Sequence, residues 1–163
     1  MKKLYLFTTL LFIFTAVFNI SCKTKETNAP SIAVFVPGII ENSPVYEMLV
    51  DGVSTAVNKF NIGKEESKKS LLYIMEAGTN QAEWSSKIIA LTADAKYDVI
   101  ISSNPSLPDI IAPISKQFPN QKFILLDAEH QNNTNIYSVR YNQKEQAYLA
   151  GYIGGLMSKS HKL

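Results

Sequence analysis

From residue 31 onward, short apolar runs alternate with stretches whose apolar residues recur every three or four positions. Ile32-Ala-Val-Phe-Val36, Leu71-Leu-Tyr-Ile-Met75, Asp98-Val-Ile-Ile-Ser102, Lys122-Phe-Ile-Leu-Leu126 and Ile136-Tyr-Ser-Val-Arg140 read as five strands. The first four are nearly continuous in apolar character, which predicts parallel strands buried on both faces. Between them, Tyr46, Leu49, Val53, Val57 and Phe60 mark one helical stripe, and Trp84, Ile88, Leu91 and Ala95 a second. Ile110, Ile111, Ile114 and Phe118 mark a third, in which Pro113 is expected to kink or delay the helix. Tyr148, Ile153 and Leu156 mark a fourth, ending near Met157. The order βαβαβαββα predicts an α/β fold, a doubly wound parallel sheet with right-handed crossovers.

Polar residues punctuate this pattern. Ser43 before Pro44 reads as an N-cap followed by proline in the first turn. Asn80 with Glu83, Ser106 with Asp109, and Asn142 with Glu145 have capping-box spacing. The Lys- and Glu-rich stretch 63–70 reads as a solvated connection.

The N-terminus follows another rule. Lys2 and Lys3 precede an apolar run, Leu4 to Phe18, that falls short of the roughly 20 residues of a membrane span. A basic start, an apolar centre and a small-residue exit make residues 1–21 a secretory signal peptide. Cys22, the chain's single cysteine, cannot form an internal disulfide, and its position suggests the lipidated first residue of a bacterial lipoprotein. Asn19 stands where the usual lipoprotein box has Leu, so an uncleaved anchor or cleavage elsewhere remain alternatives. Residues 22–30 then form a polar tether, and 31–163 the folded part. Removing residues 1–21 takes two lysines from 16 basic groups, leaving 14 against 14 acidic ones. A near-neutral mature chain carries no nucleic-acid surface signature.

In an open parallel sheet, ligands sit beyond the carboxyl ends of the strands. The loops expected there, 37–43, 77–80, 103–106, 127–133 and 141–142, are rich in Asn, Ser, Asp and Glu, which hydrogen-bond uncharged polar solutes. Asn42, Ser43, Tyr46, Asn80, Ser103, Asn104 and Asp127 are the candidate ligand-binding residues, although capping alone explains several of them. No glycine-rich phosphate loop follows the first strand, and no nucleophile elbow is present. His130 near Asp127 and Glu129 is conceivable as a metal or acid–base cluster, but a solvated turn accounts for that spacing. No catalytic residue, metal site or cofactor is expected.

Several stretches carry a further resemblance: Val36-Pro-Gly-Ile-Ile-Glu-Asn-Ser-Pro-Val-Tyr-Glu-Met48, Asn80-Gln-Ala-Glu-Trp84, the run from Tyr97 to Ser106, and Phe118-Pro-Asn-Gln-Lys-Phe-Ile-Leu-Leu-Asp127. The most specific is Arg140-Tyr-Asn-Gln-Lys-Glu-Gln-Ala-Tyr-Leu-Ala-Gly-Tyr-Ile-Gly-Gly-Leu-Met157. Together they resemble the basic membrane lipoprotein family, which includes purine nucleoside receptors. The resemblance implies the first lobe of a type I periplasmic-binding-protein fold, with the second lobe missing. It also implies a lipid-anchored ABC-importer component outside the cell membrane, binding a nucleoside and partnered by permease and ATPase subunits. A sensor or surface antigen of the same fold is the alternative. The family's base-stacking aromatic has no direct counterpart in Glu41-Asn-Ser-Pro-Val-Tyr46, so that ring is Tyr46 or absent; core packing explains Tyr46 equally. Asp127 matches the family's cleft aspartate. Because each lobe of such a receptor supplies part of the contacts, residues 22–163 alone are expected to bind solute weakly or not at all.

Overall fold

The computed structural model describes residues 29–131 and 133–159. The expected signal peptide, Cys22 and most of the tether lie outside the described residues. Five strands form one sheet: β1 (Ser31–Val36), β2 (Leu71–Glu76), β3 (Val99–Ser103), β4 (Lys122–Leu126) and β5 (Ile136–Val139). All pairings are parallel and the order is β2-β1-β3-β4-β5. Four helices accompany them: α1 (Pro44–Asn61), α2 (Trp84–Ala93), α3 (Leu107–Gln117) and α4 (Gln143–Met157). The sheet is wound on both sides, with α1 on one face and α2 and α3 on the other.

Side-chain alternation along the strands sorts the core into two unequal parts. Ala33, Phe35, Ile100, Phe123, Leu125 and Ile136 point at α2 and α3 and meet Trp84, Ile88, Leu91, Leu107, Ile111 and Ile114, all buried. Ser102 on this dry face is fully buried, and its hydroxyl donates to the Phe35 carbonyl, so no polar atom is stranded. The opposite face is thinner. Val34, Val36 and Leu49 form its buried centre, with Val53, Ile101 and Leu126 partly covered beside them.

Two-sided burial, expected from the apolar runs, holds only in the middle of the sheet. β2 is an edge strand, and its Leu71, Tyr73 and Ile74 are exposed. Over β4 and β5, no described helix covers the α1 face. Ile124 and Leu126 are half-buried there, while Tyr137 and Val139 are 56% and 43% exposed. The fourth helix forms where its periodicity predicts, yet α4 buries none of its residues.

Other differences are local. α3 runs through Pro113, which leaves the Asp109 carbonyl without its usual amide partner. Ala95 lies beyond α2 in a left-handed conformation (φ +49°), so it ends the helix instead of extending the stripe. Phe60 closes α1 at the surface, with the Lys64 ammonium 2.8 Å from its ring centre. Of the four expected caps only Asn80 accepts an amide hydrogen bond, from Ala82, and it does so at a single 3₁₀ turn (Gln81–Glu83) that leads into α2. Ser43, Ser106 and Asn142 make no side-chain cap bond. Asn42's amide instead donates to Glu47 at 3.0 Å, and Ser106's amide to Asn104 at 2.9 Å.

Candidate functional site

Because every strand runs the same way, the loops leaving their C-terminal ends share one edge of the sheet. Asn42 and Ser43 follow β1, Asn80 follows β2, Asn104 follows β3 and Asp127 ends β4. The strand order reverses between β1 and β3, where a crevice is expected. One side chain bridges that point. Tyr46 Oη donates to the Pro37 carbonyl at 3.0 Å and accepts from Asn104 Nδ2 at 3.3 Å. Its ring lies on Gly38, where an added Cβ would stand 2.6 Å from Tyr46 Cε2. The glycine is therefore needed for this close approach, and Tyr46 rivets the β1 and β3 loops together.

The β1 loop is tied down further by the Ile40 amide donating to Glu76 at 2.9 Å and by the Gly78 amide donating to the Gly38 carbonyl at 3.0 Å. Asn42 takes a left-handed conformation here (φ +62°), as does Asp127 (φ +53°). A polar residue held at positive φ is uncommon and costs of order 1 kcal/mol or more.

A cavity of about 480 Å³ opens beside Asp127, walled also by Pro105, Glu129, Arg140, Tyr141 and Gln143. Asp127 Oδ1 accepts from Gln143 Nε2 at 2.8 Å, linking the end of β4 to the first turn of α4. Arg140 pairs with Glu129 through a charge-assisted hydrogen bond. That bond, together with the arginine's charge and a weaker bond from Gln131, holds the Glu129 carboxyl below the usual carboxylate range. The cavity thus offers acceptors, donors and one aromatic ring within a single concave surface. This is a constellation for binding a polar solute.

Of the sequence candidates, Asp127 lines the cavity and Asn104 adjoins its wall residue Pro105. Asn42 and Ser43 stand on the same sheet edge but outside its lining. Ser103 is buried in β3, and Asn80 is occupied by Ala82 and Glu83. Gln143, Glu129 and Arg140 were not singled out by the sequence as ligand groups. Arg140 read as the last residue of a strand that in fact ends at Val139. The His130 backbone amide donates to the Ser138 hydroxyl, and no group of three or more metal-ligating side chains forms among the described residues.

Residues 29–163 match the model of Bmp, the PnrA-like ABC transporter substrate-binding proteins. The chain belongs to this family. Among curated relatives, basic membrane protein A2 of Borrelia garinii subsp. bavariensis is 26% identical over 160 residues, covering 94% of this chain and 44% of the relative. The chain thus spans less than half the length of that relative. Among solved structures, an ABC-transporter solute-binding protein from Aeropyrum pernix K1 superposes with a TM-score of 0.67 at 20% identity. That alignment covers 77% of this chain and 32% of the other. The 5-methylthioribose transporter solute-binding protein of Thermotoga lettingae, in complex with 5-methylthioribose, gives 0.59 at 16% identity, covering 77% and 36%. These structural likenesses establish a periplasmic solute-binding fold for the lobe. The Bmp family itself is one of solute-binding components that serve ABC transporters, not a class of enzymes.

Proposed function

We propose that this Bmp-family chain is the first lobe of a nucleoside receptor for an ABC importer, anchored outside the cell membrane by acylation of Cys22. The observation that carries the reading is the polar mouth at the C-terminal edge of the sheet, where Asp127 faces a 480 Å³ cavity with Gln143, Arg140 and Tyr141 around it. A nucleoside presents ribose hydroxyls and a flat base. The hydroxyls suit a carboxylate acceptor such as Asp127. The base suits Tyr141, whose exposed ring stands in the wall, better than Tyr46, whose ring packs on Gly38. Tyr46, Asn42 and Ser43 then shape the mouth, and Asn104 faces the solute once it exchanges its bond to Tyr46. The ribose-containing ligand of the Thermotoga protein agrees with a sugar-bearing solute. Two acyl chains on Cys22 anchor firmly, at about 0.8 kcal/mol per buried CH₂.

One lobe supplies one side of the contacts, so affinity in the millimolar range is expected for this chain. Equilibrium dialysis against purine and pyrimidine nucleosides, ribose and amino acids tests the reading. Nucleosides should be retained in preference. Asp127→Ala should weaken retention by about tenfold or more, as expected for losing a hydrogen bond to a charged group. Retention of amino acids alone, or nucleoside retention indifferent to Asp127, refutes it. Mass spectrometry of the membrane fraction tests the anchor: diacylglyceryl on Cys22 supports it, and an unmodified thiol there excludes it.

A further inference from the structure

The Asp127 carboxylate is fixed at two levels, backbone and side chain. Leu126 pairs with Val139 in the sheet, and the Ala128 amide donates to the Val139 carbonyl at 3.3 Å. The residue between them is thus held to the end of β5 from both sides. Had the strand conformation continued, alternation would have turned Asp127 to the face that Phe123 and Leu125 fill, against the packed core. The left-handed backbone at Asp127 (φ +53°) breaks that alternation, and aspartate is among the residues that adopt it most readily. Gln143 is held to the same strand end, its amide donating to the Tyr141 carbonyl at 2.9 Å. Its Nε2 reaches back and donates to Asp127 Oδ1 at 2.8 Å. We propose that Gln143 is a positioning residue of the solute site: it orients the Asp127 carboxylate without neutralising it, and so leaves Oδ2 as a charged acceptor for a solute hydroxyl.

Two observations carry this role. The first is which groups Asp127 does not use. Arg140 and Lys144 both wall the same cavity, yet Arg140 pairs with Glu129 and neither cation pairs with Asp127. Among the described residues, the Gln143 side-chain amide is the one partner of the Asp127 carboxylate. A carboxylate offers about four acceptor positions, and a single neutral N–H fills one of them. An ion pair would instead have spent the charge that strengthens a bond from a hydroxyl. The neutral amide fixes direction and leaves the charge in place.

The second is how the two partners are mounted. Both ends of the Asp127–Gln143 bond hang from backbone bonds to the end of β5 and the residues just after it, at Val139 and Tyr141. The ring so formed lies wholly within this lobe, and its bonds are all between described residues. Asp127 is half-buried and Gln143 exposed, so a solute reaches the free oxygen without displacing a packed group. Glu129 plays the matching part for the cation, because its bond to Arg140 keeps the guanidinium from Asp127. The role rests on the nucleoside reading above for what the hydroxyl belongs to, and on these bonds for the orientation. Were Gln143 merely a tie for the start of α4, its loss would loosen the helix and leave hydroxyl selection untouched.

The test uses the full chain, isotope-labelled and in mild detergent, as parent, Gln143→Leu and Gln143→Lys. Three-bond couplings report, with no solute present, whether the Asp127 side chain keeps one rotamer. The parent should show one, Gln143→Leu an average of several, and Gln143→Lys one again, because lysine returns a donor. Titration with adenosine and with 2′,3′-dideoxyadenosine then reads the acceptor. The parent should favour adenosine by about fivefold to tenfold, the worth of a hydrogen bond to a charged group at an open site. Both variants should bring the two nucleosides to within about twofold while circular dichroism stays that of the parent: leucine no longer aims the carboxylate, and lysine neutralises it. A mobile Asp127 in the parent, a single rotamer in Gln143→Leu, or a Gln143→Leu variant with the parent's preference for adenosine overturns the proposal. A rotamer that depends on Gln143 in a chain retaining amino acids instead of nucleosides supports the positioning role while refuting the nucleoside reading.

Discussion

The two faces of this sheet are built from strands that look alike in sequence and end in different environments. Toward α2 and α3, Phe123 and Leu125 are fully buried among Ile88, Ile111 and Ile114. One residue along the same strand, Ile124 and Leu126 turn to the other side and are only half covered, because α1 sits mainly over β1, β2 and β3. Apolar content reports what a strand is prepared to bury. What it does bury depends on how many layers are present, and a sheet with one complete and one incomplete layer carries its stability unevenly.

Substitutions that differ only in the side of the sheet they touch break or sharpen this contrast. Phe123→Ala should cost most, about 3–5 kcal/mol, since a fully buried ring leaves a cavity that its neighbours fill poorly. Leu126→Ala, on a half-covered site, should cost roughly 1–2 kcal/mol, because less surface returns to water and solvent enters the gap. Val139→Lys should lie within about 0.5 kcal/mol of the parent. All three are read from urea denaturation. Equal losses at Phe123 and Leu126 would mean that the second face is as well covered as the first.

The smallest effect belongs to Glu129. Its carboxyl is held below the ordinary range first by the Arg140 hydrogen bond. A folded-state value below the unfolded one contributes stability above the unfolded pKa, and that contribution is lost as pH falls through the folded value. In Arg140→Gln, NMR titration should therefore show Glu129 moving up toward the ordinary carboxylate range. The acid side of its stability profile should then depend less on this group. A Glu129 titration unchanged by Arg140→Gln would remove the pair from the account of the mouth.

Most of the fold was legible in the residue pattern, because the spacing of apolar positions distinguishes strand from helix whatever lies around them. All five strands and all four helices stand where their periodicity puts them, to within a residue or two at the strand ends. Three things were not legible. Capping depends on backbone angles at one residue: Ser43 and Ser106 have suitable side chains, yet Glu47 and Asn104 take the amides of Asn42 and Ser106. Tyr46's position on Gly38 is a meeting of two segments eight residues apart, which no local pattern records. The uncovered face was hidden because the strands β3 and β4 carry apolar residues on both sides, with or without a layer to receive them.

Of the candidate site, the part attached to strand ends was readable: Asp127 follows the last apolar residue of β4, and a parallel sheet fixes which edge that is. The contributions of Gln143 and Arg140 were not. They depend on how α4 leaves β5, a matter of three connecting residues.

The claim on which the rest stands is that solute enters at the C-terminal edge of the strands, and amide chemical shifts of the chain titrated with adenosine test it most directly. The account predicts millimolar, saturable shifts gathered at Asn104, Asp127, Glu129 and Tyr141–Gln143, with smaller ones at Asn42. Shifts gathered at Asp98 and Gln121 on the opposite edge would contradict it.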